Sequence, residues 1–328
     1  MTALERQHRL RVWIAFALVY VFWGSTYLAI RVAVEHIPAA LLGGTRFLAA
    51  GVLMLAYCWL TGRTIRLTRR EALRLFTIGV LLLTGGNVLL AYSEVYLPSG
   101  LAALIVAVVP IWVALIEGFV LRGDRLGTGG WLGLVLGIGG LAVLLWPQLR
   151  SSLVGAEGIP HNLRMQLIAS AVLLLGSLSW SVGSVLSRRV QLGVGPFVAT
   201  GWEMTFAGLV NTVIAFGLGD HHRVQWTARG ISAVVYLIIF GSWVGFTAYI
   251  WLLEHVPTPK VATYAYVNPV VAVFLGWLIL NERIDAYIAL GTVIIVAAVA
   301  LVTSSKLRRP AAPERVPQQL PACEAGAD

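Results

Sequence analysis

The stretch Tyr264-Ala-Tyr-Val-Asn-Pro269 lies inside an apolar run from about Pro257 to Leu280. It puts a proline, an asparagine and two tyrosines where a lipid-facing helix would carry leucine. Upstream, Ala107-Val-Val-Pro110 lies inside the apolar run Pro98 to Leu121. The two prolines are 159 residues apart (269 − 110), and the same offset relates Pro98 to Pro257, Ala103 to Ala262, Gly86 to Gly245 and Leu121 to Leu280. Identities at one offset point to an internal repeat. Proline in a helix interior removes a hydrogen bond and clashes with the preceding turn. Inside a bilayer, the freed backbone groups survive only where protein or water covers them. Paired interrupted spans in two halves of a chain point to a transport site between the halves. The plainer alternative is that each proline only kinks a helix for packing.

Composition sets the class. Hydrophobic residues make up 58% of the chain, charged residues 12%, and the mean hydropathy is +0.82. Soluble domains carry about 25% charged residues, so this is a membrane chain. The net charge of +9 forms no single basic face or arm, and nucleic acid is not an expected partner. The basic residues fall between apolar runs, where orientation signals lie. Cys58 and Cys323 offer neither a disulfide framework nor metal spacing. The first apolar run is too long for a cleavable signal and reads as a span.

A span needs about 20 apolar residues. Ten runs qualify, at roughly 12–34, 39–60, 72–93, 98–121, 127–146, 165–187, 196–218, 230–253, 258–280 and 284–303. The expected fold is an all-α membrane protein of ten transmembrane helices. Segments 1–11 and 304–328 read as cytoplasmic tails, the latter disordered, and 147–164 as an outside linker. With the N-terminus inside, cytoplasmic segments hold 17 Lys and Arg against 5 outside, so both termini are expected in the cytoplasm. The repeat extends to the first two spans of each half at an offset of 157, matching Trp23 to Trp180, Arg31 to Arg188, Gly44 to Gly201 and Gly51 to Gly208. Five spans per half is odd, so consecutive repeats, 12–146 and 165–303, must insert in opposite senses.

Phe22-Trp-Gly-Ser-Thr-Tyr27, Thr45-Arg-Phe-Leu-Ala-Ala-Gly51, Tyr264-Ala-Tyr-Val-Asn-Pro-Val-Val-Ala-Val273 and Leu280-Asn-Glu-Arg283 resemble the EamA family of the drug/metabolite transporter superfamily, and within it the YedA-type inner-membrane transporters. The resemblance runs from about Trp13 to Val302. It implies a ten-span protein of the bacterial inner membrane that moves amino acids or other small metabolites, usually outward. Glu282 stands in the family's Leu-x-Glu position, whereas Leu121-Arg-Gly-Asp124 has its acid one residue later. Glu282 is expected to anchor a helix end and not to bind substrate.

The candidate substrate-binding residues each have a structural alternative. Tyr264 and Asn268 are i, i+4 and share a face, while Tyr266 points elsewhere. Asn268 in hydrocarbon needs a partner, supplied by a cavity beside Pro269 or by an interhelical bond. Asn87 follows Gly85-Gly86, which allow close backbone approach. Trp23 and Trp180 lie about ten residues into their spans, too deep for an interfacial belt, and Trp243 belongs with them. They read as core packing or as a wall on which substrate stacks. Ser25, Tyr27 and Ser184 add hydroxyls, though such groups often bond their own helix. Pro110 and Pro269 are expected to bend cavity-lining helices. Arg46, Glu203 and Glu117 are intramembrane charges, which are functional candidates by default. Arg46 and Glu203 sit at equivalent repeat positions (203 − 46 = 157) and are expected either to pair or to find separate partners. Glu94 and Glu254 lie at span ends, where they can reach water.

Enzyme signals are absent. No phosphate-binding Gly-x-x-x-x-Gly-Lys-Ser/Thr loop and no His-Glu-x-x-His pair occurs, and no cofactor or metal is expected. The reading is a secondary transporter, with lipid, a small-molecule metabolite and a candidate coupling proton as its partners. A passive facilitator is the near alternative; a membrane enzyme or receptor is the distant one.

Overall fold

The structure is a computed structural model that describes residues 3–116, 128–154, 161–256, 261 and 264–305. Among these residues it is all helical, with no strand. Helices α1 (Ala3–Val34) and α2 (Ala39–Leu60) are followed by α3, Arg69–Ser93, whose middle, Val80–Val88, is π-helical. Then come α4 (Ser99–Val106), α5 (Val109–Leu115), α6 (Thr128–Val154), α7 (His161–Arg189) and α8 (Pro196–Gly217). Helix α9 starts as Ala228–Tyr236, passes through a second π-helical segment, Leu237–Val244, and continues as Gly245–His255. Helices α10 (Tyr264–Leu280) and α11 (Ala286–Ser305) complete it.

Among the described residues, six helices are long and apolar enough to cross a membrane, within α1, α2, α3, α6, α7 and α9. Shorter apolar helices cover Ser99–Val113, Val267–Leu280 and Ala286–Leu301. Helix α8 has the length, 22 residues, but Glu203 and Asn211 reduce its apolarity. Two segments differ from the sequence reading. Over residues 98–116 the helix is interrupted: the chain turns at Ala107-Val108, and Pro110 stands in the first turn of α5. Proline is tolerated there because the first-turn N–H has no helical acceptor anyway. The stretch 147–164 is helical through Val154 and again from His161. Helix α6 runs on through Pro147 to Val154.

Packing positions the centre. Helix α2 lies along α8, and α6 along α11. Helix α1 packs on α9 and α10, while α7 packs on α3, α4 and α5. The α2–α8 approach is close because glycines meet it. A Cβ on Gly51 would lie 2.6 Å from the Thr205 backbone nitrogen, and one on Gly208 would lie 2.3 Å from the Leu48 nitrogen. These contacts are reciprocal at the repeat offset, since 51 and 48 become 208 and 205 on adding 157. The same holds for Gly44 against Thr212 and Gly201 against Leu55.

Helix ends are satisfied locally where they can be. Thr68 and Glu71 form a reciprocal capping box at the start of α3. The start of α4 uses a remote group instead. Glu282, in the turn after α10, accepts from the Ser99 N–H at 2.7 Å, the Ser99 hydroxyl at 2.9 Å and the Gly100 N–H at 3.1 Å. This is the helix-end role expected of it. A positive φ of 53° at Asn281 turns the chain so that the carboxylate reaches across.

Candidate functional site

The two π-helical segments both pack on α2. A π segment leaves the regular carbonyl register, and side chains from neighbouring helices meet the carbonyls involved. Ser179 of α7 donates to the Leu81 carbonyl at 2.8 Å. The Trp23 indole N–H of α1 donates to the Gly241 carbonyl at 3.2 Å. Glycines let these side chains in: a Cβ on Gly86 would lie 2.8 Å from the Trp180 ring, and one on Gly245 would lie 2.3 Å from Trp23 Nε1.

Between the segments stands Arg46 of α2, 6% exposed. Its Nε donates to Ser242 Oγ at 3.4 Å and its Nη1 to Asn87 Oδ1 at 3.5 Å, both at the long limit for a hydrogen bond. Its guanidinium also lies 4.8 Å from the Phe47 ring centre. Trp180, Trp243 and Phe246 pack against the Phe47 cluster around it. Trp243 is fixed by an N–H bond to the Ala50 carbonyl at 3.2 Å. Trp23 continues this aromatic wall, with ring centres 5.3 Å from Phe246, 5.0 Å from Tyr249 and 5.1 Å from Tyr264.

The predicted residues thus divide. Asn87, Arg46, Trp180 and Trp243 come together, and Trp23 and Tyr264 adjoin them through Phe246 and Tyr249. Asn268, 7% exposed, lies at the α1–α10 contact, where its backbone carbonyl faces Gly24; its Oδ1 is buried without a partner. Pro269 is buried within α10 and does not face lipid. Ser184 bonds its own helix at Trp180, a packing role. Ser25 bonds the Phe22 carbonyl and the Tyr236 hydroxyl, tying α1 to α9. Tyr27 packs against the main apolar core. Glu117 lies outside the described residues. Ser242, Phe246, Tyr249 and Phe47 were not singled out from sequence. A hydroxyl beside Gly241 in an apolar span was a usable signal for Ser242; the aromatics carried none.

Arg46 and Glu203 do not pair. Residues 44, 48 and 51 of α2 oppose 212, 208 and 205 of α8. Arg46 is therefore level with about residue 210, seven residues or about 10 Å from Glu203 along the axis. Glu203 sits instead where α8 meets α3, its backbone against Gly79. Glu94, expected to reach water, is 0% exposed, with neither carboxylate oxygen partnered. Arg31 of α1 donates to the Glu94 and Val95 carbonyls, and Leu97, 1% exposed, anchors the turn in the core. That turn carries Glu94 beneath the surface. Burial first, then the charge of Glu282, raises its carboxyl well above the ordinary 4.5, against the pull of Arg31.

A separate apolar cleft of about 430 Å³ opens between α1 and α9, lined by residues including Ile14, Leu18, Trp243 and Trp251. It shares only Trp243 with the polar cluster and lacks the convergent polar groups of a binding site.

Residues 11–146 and 167–304 each match the EamA-like transporter family. The chain is 37% identical over 305 residues to the inner membrane transporter YedA of Escherichia coli (strain K12), covering 92% of this chain and 93% of that one. It is 23% identical over 300 residues to the transporter YoaV of Bacillus subtilis (strain 168), covering 91% and 99%. A solved crystal structure 20% identical in sequence superposes with a TM-score of 0.62, covering 90% of this chain and 98% of the other. That last likeness concerns the fold alone.

Proposed function

The chain belongs to the EamA-like transporter family, and from that premise we propose that it is a secondary transporter of the drug/metabolite class, exporting small metabolites such as amino acids by alternating access. The observation that carries this reading is the Arg46–Asn87–Ser242 cluster, held at two π-helical segments and walled by tryptophans. Polar groups converging inside an apolar bundle are what a small amphipathic solute requires. Trp23, Trp180, Trp243 and Tyr264 would pack its apolar part. Asn268 and Pro269 would lie along the path beside α1.

The proposed architecture is ten spans in two inverted five-helix repeats, 12–146 and 165–303, with both termini in the cytoplasm. The reciprocal α2–α8 contacts and the matched packing of α1 and α7 support it. Rocking of one repeat against the other would open the cluster to each side in turn. Glu94 and Glu203 are the acids in the described interior able to carry a coupled proton. Efflux and uptake of labelled metabolites in proteoliposomes, with and without a proton gradient, test the reading. Flux that ignores the gradient means a passive facilitator; no flux for any amino acid or small metabolite in a broad panel refutes transport.

A further inference from the structure

Among the described residues, Arg46 is a buried cation without an anion. Its guanidinium carries five N–H donors. Two of its nitrogens meet acceptors, at 3.4 and 3.5 Å, and both acceptors are neutral. Among the described residues no ion pair involves it, and Glu203 stands two turns away on another face. The Phe47 ring gives a cation some attraction, but no compensating charge. A charge left so in an apolar interior is costly unless something with the opposite sign joins it. The protein nevertheless builds around it. Asn87 and Ser242, from two different helices, hold opposite edges of the guanidinium. Gly241 borders the Nη2 group, where a Cβ would come within 3.0 Å. The Nη2 donors remain for a ligand, and Trp180, Trp243 and Phe246 pack against the adjoining Phe47 cluster.

We propose that Arg46 is the recognition site for a carboxylate on the transported compound, with Asn87 and Ser242 orienting the guanidinium and the neighbouring rings receiving an apolar remainder. This rests on the transporter reading and narrows its substrate class to amphipathic carboxylates, zwitterions included. The carboxylate replaces the missing counter-charge, so binding is favoured by charge-assisted hydrogen bonds in a site of low polarity. An amine or amide of the same shape would leave Arg46 unpaired and is disfavoured.

The test uses three probes sharing one ring: phenylacetate, phenylacetamide and phenethylammonium. Binding to the purified full chain in nanodiscs is read from tryptophan fluorescence, since three indoles lie near the cluster. The expected result is a preference of about tenfold or more for phenylacetate, as a charge-assisted pair provides. Arg46→Gln removes that preference. Asn87→Asp is the second variant, in case Arg46→Gln does not fold. It places an internal carboxylate against Nη1, satisfies the charge and also abolishes phenylacetate binding, while leaving Arg46 present. Absence of an anion preference in the unaltered protein, whether all three probes bind alike or none binds, overturns the proposal. So does an anion preference that survives both variants. Parallel flux assays separate the two readings: flux without carboxylate preference overturns this site and leaves transport standing. Carboxylate binding without flux supports the site and counts against transport.

Discussion

Glu282→Ala removes the only side-chain acceptor for the start of α4 among the described residues. The Ser99 and Gly100 backbone N–H groups then lose their partners. Ser99 is fully buried and Gly100 is buried, so water cannot replace the carboxylate without opening the packing. Each buried donor left unsatisfied costs about 1–3 kcal/mol. Two such groups give a destabilisation of about 2–6 kcal/mol, centred near 4. At about 2.1 cal/mol/K of unfolding entropy per residue, a chain of this size loses about 1.5 °C of melting temperature per kcal/mol, so the variant should melt about 3–9 °C lower. Glu282→Gln keeps an oxygen for Ser99 but turns an amide N–H₂ toward the Gly100 N–H, and should lose about half as much. The assay is tryptophan-fluorescence melting of the purified protein in detergent. A coupled variant sharpens it. A Cβ on Gly276 would lie 2.3 Å from Glu282 Oε2, so Gly276→Ala should displace the carboxylate. Combined with Glu282→Ala, it should add less than it costs alone. A Glu282→Ala protein melting within about 2 °C of the parent, or strict additivity of the two changes, would refute the remote cap.

Gly208→Ala should destabilise by about 1–3 kcal/mol, because its Cβ would meet the Leu48 backbone, which cannot swing aside; thermal melting checks this. Glu94→Gln should flatten the pH dependence of stability. With its folded-state carboxyl held above the ordinary 4.5, the folded protein binds more protons than the unfolded chain, so the parent loses stability as pH rises above about 4.5. Melting curves across pH would show the parent's slope reduced in the variant, and an unchanged slope would exclude Glu94 as its source. Asn268→Ala should leave stability within about 1 kcal/mol, since Oδ1 makes no bond to lose, yet lower transport per folded molecule. Equal flux, normalised to folded protein, would return Asn268 to a packing role.

What the sequence determined by itself was the class, the placement of the six long apolar helices and the repeat offsets. Apolar run length and charge placement act locally, and the solvent enforces them on each segment. The glycines matched at 157 also proved to be the contact glycines of α2 and α8, because close helix approach demands a missing Cβ on both sides. The tertiary structure decided what depends on lateral position. Arg46 turned from Glu203 to Asn87 and Ser242, since which face of α2 meets α8 is set by glycine packing and not by charge. Glu94 went inward because Leu97 and Arg31 hold its turn against the core. The two π-helical segments meet side chains such as Ser179 and Trp23, which arrive from helices 98 and 218 residues away to bond the π-segment carbonyls. No local pattern encodes an acceptor satisfied from so far along the chain.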